Sequence, residues 1–191
     1  IGSKSRESAL HSFKQTQYRV NQLVSNTEHL SFELLASEEV QLLANDHEGG
    51  TGYEAMQKKV KLNYFLQQRF SLYPYLHSYV LMQGKDRLYN YGSQARVVDE
   101  KWIQEAYARK GVPVWTDAYA LRTAPNAEEQ LVISMVRAVN DLDRFEIIGI
   151  EVLTVLEQEL EQAYTEYDTW SDEQVVIMNE SGTIISSRNK E

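Results

Sequence analysis

From Ser3 to about Asp46 the apolar residues recur with a helical period. Phe13, Thr16, Val20, Leu23, Thr27, Leu30 and Leu34 fall at steps of three and four, which keeps them on one face, and no proline interrupts them. The pattern predicts a single long helix of roughly 60 Å at about 1.5 Å per residue. That is longer than a domain of this size needs, so it reads as a spine along several packing partners or as half of a dimer. His47-Glu48-Gly49-Gly50-Thr51-Gly52 stops it, because three closely spaced glycines supply the backbone freedom of a helix end. Tyr53 to Phe70 returns to helical spacing through Met56, Val60, Tyr64, Phe65 and Leu66, predicting a second helix packed back on the first.

Beyond Pro74 the period changes. Tyr75 to Gln83, a turn at Gly84-Lys85-Asp86, and Arg87 to Tyr91 read as a β-hairpin. Asp99-Glu100 open a helix that Gly111 and Pro113 end, with acidic residues placed where the backbone dipole favours them. Three strands follow: Val114 to Tyr119, Leu131 to Val139, and Phe145 to Thr154, with Gly149 suggesting a bulge or a close backbone approach. An acidic helix from Val155 to about Tyr167 and a hairpin of Val175 to Met178 with Thr183 to Ser186 close the chain. The fold class predicted is α+β: a long N-terminal helix with an antiparallel sheet, organised around the stretch from Asp99 to Leu156.

Composition narrows the function. With 191 residues and 42% hydrophobic content the chain can bury a core. Nineteen Lys and Arg against 28 Asp and Glu give a formal charge of −9, and no basic stripe interleaved with aromatics offsets it, so nucleic acid is not an expected partner. The absence of cysteine removes disulfides, thiolate metal sites and thiol nucleophiles together. No apolar run approaches the roughly 18 residues of a transmembrane helix. The start at Ile1-Gly2-Ser3 reads as that of an excised fragment whose flanks include membrane spans.

The candidate chemistry is that of a pocket. His11, His29, His47 and His77 are scattered without ligand spacing, so no metal and no cofactor are expected. No nucleophile elbow occurs, and Glu157, Glu159, Glu161 and Glu166 read as the solvated face of a helix, which leaves enzyme activity without support. Trp115, Asp117 and Tyr119 alternate along one predicted strand and would share a face. Two aromatics flanking a carboxylate can hold a sugar ring or an ammonium group. The competing reading is that both aromatics are core residues and Asp117 pairs with an arginine. Tyr89 and Tyr91 share a face for the same reason, and Arg137, inside an apolar strand, needs an anionic partner from ligand or protein.

Several stretches resemble one family. Leu30-Ser31-Phe32-Glu33-Leu34-Leu35-Ala36, Trp102 with Gly111 and Trp115, Val132-Ile133-Ser134-Met135-Val136-Arg137, and Val175 to Ile185 are similar to the extracytoplasmic double CACHE (PAS-like) sensor region of YesM-type bacterial sensor histidine kinases. The resemblance implies a spine helix over residues 1–52, a membrane-distal PAS-like ligand-binding lobe over 53–156, and a connecting helix with a partial membrane-proximal lobe over 157–191. Only two strands of that second lobe fit before Glu191, so it is expected to be incomplete or vestigial. Further implications are a small polar solute as ligand, a cytoplasmic response regulator reached through a kinase part, and a homodimer along the N-terminal helix. Amino-acid-sensing relatives carry an Arg-x-Trp-Tyr run. Here Trp102 and Tyr107 stand near the expected helix without it, which turns the expectation toward a carbohydrate or another polar solute. The alternative function is a ligand-free module that contacts a solute-binding or other extracytoplasmic protein.

Overall fold

The structure, a computed structural model, describes residues 2–46, 51–92, 98–165, 176–178 and 184–187. The predicted single spine is two helices, α1 (Ser3–Leu35) and α2 (Glu38–Asn45). The break has a local cause. Ser37 accepts a hydrogen bond from the Val40 amide at 3.2 Å, and Glu38 and Glu39 fill the first turn of α2. A Ser followed by two glutamates is a start signal, and it overrides the apolar period that runs through it. Helix α3 (Tyr53–Leu72) returns along α2, and Lys58 ties the two together through Glu38 at 2.5 Å.

Six strands form the main sheet: β1 (Leu76–Gln83), β2 (Asp86–Gly92), β3 (Val114–Trp115), β4 (Tyr119–Leu121), β5 (Gln130–Asn140) and β6 (Ile147–Leu156). Every pairing is antiparallel, in the order β2-β1-β6-β5-β3, with β4 also on β5. Helix α4 (Glu100–Arg109) precedes β3 and ends on Lys110 and Gly111, both at positive φ. Helix α5 (Glu157–Thr165) follows β6, and β7 (Val176–Met178) pairs with β8 (Ile184–Ser187) in a separate two-stranded sheet. Residues 166–175 and 179–183, which include the end of the predicted acidic helix and the last predicted turn, lie outside the described residues.

Side-chain alternation divides the main sheet into two unlike faces. Tyr79, Leu81, Ile133, Met135, Leu153 and Val155 pack beneath α1, α2 and α3 with Leu30, Leu34, Leu43, Leu62 and Leu66. Val80, Met82, Val136, Ala138, Ile150 and Val152 pack beneath α4 with Trp102, Ile103 and Ala106. Gly149 is the close approach that its place in the strand suggested. A Cβ there would stand 2.8 Å from the Met82 carbonyl oxygen, nearer than neighbouring β1 permits.

Two strand boundaries differ from the sequence reading. Phe145 lies in the β5–β6 turn at φ 59° and is 82% exposed, so β6 starts at Ile147. That turn is built on Asp141, whose Oδ1 accepts from the amides of Asp143 and Arg144 at 2.9 and 2.8 Å. These amides and the Arg144 guanidinium hold its carboxyl far below the ordinary carboxylate range. The strand expected from Val114 to Tyr119 is interrupted at Thr116-Asp117-Ala118.

Candidate functional site

On the α4 face, a polar band crosses an otherwise aliphatic surface. Ser78 in β1 faces Gly92 in β2 and Thr154 in β6, and Thr154 faces Ser134 in β5, so the register sets the three hydroxyls side by side. All three residues are at most 3% exposed. Ser134 Oγ lies 2.7 Å from Thr154 Oγ1 and 2.6 Å from the Tyr119 hydroxyl, and Thr116 Oγ1 accepts from the Ser134 amide at 3.0 Å. His77 Nδ1 lies 3.2 Å from Ser78 Oγ, and burial pushes that imidazole below its ordinary value. Burial likewise raises the Tyr119 hydroxyl, with the Asp99 carboxylate adding to the effect.

Asn90 belongs to the same face, opposite Val80, and its Oδ1 is buried with no hydrogen-bond partner. An unmade bond of this kind costs about 1–3 kcal/mol and marks a position where something else donates. Asp99, the residue before α4, is exposed and makes no capping hydrogen bond to the helix it precedes. The arrangement supplies rotating hydroxyls that either donate or accept, one free carbonyl oxygen and one carboxylate. That inventory suits reversible binding of a small polar molecule.

The residues singled out in the sequence are distributed over both faces. Tyr119 is on the α4 side, packed with Val132 and Leu121 as well as the aliphatic cluster, and Trp102 is buried in that cluster with Lys101 Nζ 4.9 Å from its ring centroid. Trp115 instead packs with the α1 face and donates its Nε1–H to Glu28 Oε1 at 2.9 Å. The break at 116–118 is the physical reason, since alternation holds only along a continuous strand. Asp117 sits in that break, half-buried. Tyr89 and Tyr91 share a face as their spacing implies, and it is the α1 face. Tyr89 donates to Asn63 Oδ1 at 2.5 Å, and Tyr91 meets Phe70 edge-on at 4.9 Å. Of the polar residues in the band, sequence reasoning missed Ser78, Asn90, Ser134 and Thr154. Ser134 and Thr154 were visible as polar interruptions within apolar strands.

Beneath α1 a second polar group is buried in the core. Glu151 of β6, fully buried, accepts from Ser31 Oγ of α1 and, at 3.0 Å, from the Tyr79 hydroxyl of β1. Arg137 of β5, its cross-strand neighbour, donates from Nε to the Gly111 carbonyl at 2.7 Å and from Nη1 to Ser31 Oγ at 3.4 Å and the Glu28 carbonyl at 3.5 Å. Arg137 therefore meets backbone carbonyls and, through Ser31, the Glu151 carboxyl of the protein itself. Burial pushes the Glu151 carboxyl up to about 8, against the lowering effects of Ser31, Tyr79 and Arg137. Burial also raises the Tyr79 hydroxyl well above its ordinary value. A lone glutamate in the apolar run Ile147–Leu156 was the sequence signal for this group.

Elsewhere an open cleft of about 860 Å³ lies between α2, the start of α3 and the β5–β6 turn, lined by acidic side chains including Glu38, Glu54 and Asp143. Among the described residues no three His, Asp or Glu side chains are grouped to hold a metal ion, and no helix is long and apolar enough to cross a membrane.

No family matches the chain at the level of sequence, and no curated protein does. Solved structures do match in fold. The ligand-binding domain of the Campylobacter jejuni chemoreceptor Tlp3, in complex with 4-methylisoleucine, aligns with 99% of this chain and 73% of its own, at 15% identity and a TM-score of 0.61. The same domain in complex with L-valine aligns over 94% of this chain and 69% of its own, at 17% identity and a TM-score of 0.58. The extracellular domain of a proposed histidine kinase, vpHK1S-Z8, covers 100% of this chain and 74% of its own, at 13% identity and a TM-score of 0.66. The fold is therefore that of a PAS-like sensor domain, with its long N-terminal helix and antiparallel sheet.

Proposed function

We propose that the chain is the extracytoplasmic sensor portion of a membrane receptor, of the YesM-type histidine kinase class, and that it binds a small polar solute on the α4 face of its sheet. The observation that carries this reading is the band of buried hydroxyls on Ser78, Thr154, Ser134 and Tyr119 beside the unpartnered Asn90 carbonyl. A band of neutral hydroxyls favours a hydroxyl-rich solute such as a carbohydrate. The amino acids bound by the Tlp3 domain make amino acids the second class to test. Tyr119, with Trp102 behind it and Asp117 on the adjoining link, is the proposed contact surface. Trp115 and Arg137 lie beneath the spine helix and Tyr89 and Tyr91 beneath α3, and all four support the sheet from its other side. The ligand-binding lobe spans residues 53–156, and residues 157–191 begin a membrane-proximal part. Binding is passed along α1 to an attached kinase and from there to a response regulator. The chain pairs with a second copy through the N-terminal part of α1.

Thermal-shift screening of sugars, polyols, amino acids and organic acids tests the site. A ligand at about a hundred times its dissociation constant adds about 2.7 kcal/mol of stability, enough to be seen readily. Tyr119→Phe and Asn90→Ala should each abolish the shift of any hit while the unliganded protein still melts cooperatively. Hits that survive both substitutions would place the ligand elsewhere.

A further inference from the structure

Within the largely aliphatic interface between the spine helix and the sheet lies a buried polar cluster. Ser31 of α1, Tyr79 of β1, Arg137 of β5 and Glu151 of β6 meet there, with Ser31, Tyr79 and Glu151 fully buried. Arg137 also grips the turn after α4 through the Gly111 carbonyl and the spine through the Glu28 carbonyl, so one side chain touches both helical layers. The ionisable groups around the carboxyl are few among the described residues. From α1 comes Glu28, whose carboxylate is occupied by Trp115; from β1 Tyr79; from β2 Tyr89, 6.2 Å from the Tyr79 ring; and from β5 Arg137.

We propose that Ser31, Glu151 and Arg137 form a proton-operated latch, in which α1 is seated on the sheet while the Glu151 carboxyl carries a proton and is loosened when it does not. The hydrogen bonds admit both states. With the carboxyl ionised, Arg137 donates to Ser31 and Ser31 to Glu151. With it protonated, the acid donates to Ser31, whose own proton turns to a carbonyl of the preceding helical turn. The two states are unequal in cost, because the ion is fully buried and meets the guanidinium only through an intervening hydroxyl. Lifting α1 is the motion that lets water reach the charge. The latch itself rests on this geometry alone; only its use as a signal, reporting external pH to a kinase, rests on the receptor reading above.

The direction of the pH effect follows from burial. A carboxyl held at about 8 in the folded chain against 4.5 ordinarily takes up a proton on folding. Its contribution to stability is complete below the ordinary value and declines as pH rises to the folded one. Between those limits the unfolding constant of the wild type should rise tenfold per pH unit relative to that of Glu151→Gln, which mimics the protonated acid. Hydrogen exchange, corrected for its intrinsic pH dependence, should show the amides of residues 27–35 losing at least tenfold protection between pH 6 and pH 9 in the wild type but not in the variant. Equal protection at both pH values, or the same loss in both proteins, would overturn the latch. Should Glu151→Gln fail to fold, the carboxyl carbon of wild-type Glu151 decides by NMR: a midpoint between about 7 and 9 supports the proposal, and one below about 5 rejects it.

Discussion

Ser134 joins two other hydroxyls, those of Tyr119 and Thr154, and is itself fully buried. Replacing it by alanine leaves the buried Thr154 hydroxyl and the half-buried Tyr119 hydroxyl each short of a partner, an expected loss of about 1–3 kcal/mol that urea denaturation would measure. An unchanged midpoint would mean that water already serves those groups. At this scale the sequence was legible by residue type more than by direction. Tyr119 was singled out together with Trp115, yet a three-residue interruption turns them to opposite sides of the sheet. Arg137 was recognised as a cation in need of a partner, but the carboxyl it faces could not be named, because it lies on the neighbouring strand and is reached through a serine 106 positions away.

Elements were more legible than residues, and their ends least of all. The hairpin of β1 and β2, the helix α4 and the long pair β5 and β6 were each recognisable from periodicity, since an apolar run of period two or near 3.6 admits one burial geometry. The junction of α1 and α2 was missed because the apolar period continues across it while Ser37 acts locally. The cap can be tested directly. Ser37→Ala should cost about 0.5–2 kcal/mol in chemical denaturation, and Ser37→Asp should restore most of the loss, since aspartate is also a favoured cap. No loss with alanine would show that the break is imposed by packing of Val40 and Leu43 alone. The β3–β4 interruption had no comparable signal, as Thr-Asp-Ala carries neither glycine nor proline.

For the whole molecule, the apolar stripe of α1 has two fates. Leu23, Leu30 and Leu34 are buried in the chain's own core and Val20 packs against it, so that half needs no second copy. Leu10 and Phe13 remain 55% exposed, one turn apart on the same side of the helix. Apolar surface left in water costs about 25 cal/mol per Å², and a two-fold pairing of these turns is the symmetric way to cover it. Sedimentation at rising concentration should show a weak dimer that Leu10→Glu and Phe13→Glu abolish without changing the melting temperature of the dilute protein. Monomer at every concentration would remove the pairing from the scheme. The division of α1 into a docked half and a projecting half also makes it a lever with a fulcrum near Ser31. From Ser31 to Ser3 the helix runs roughly 42 Å at about 1.5 Å per residue, so a tilt of only about 5° at the fulcrum carries its far end by roughly 4 Å. A disturbance too small to unseat a single core side chain at the sheet would arrive at the other end of the rod as a displacement wider than a carbon–carbon contact.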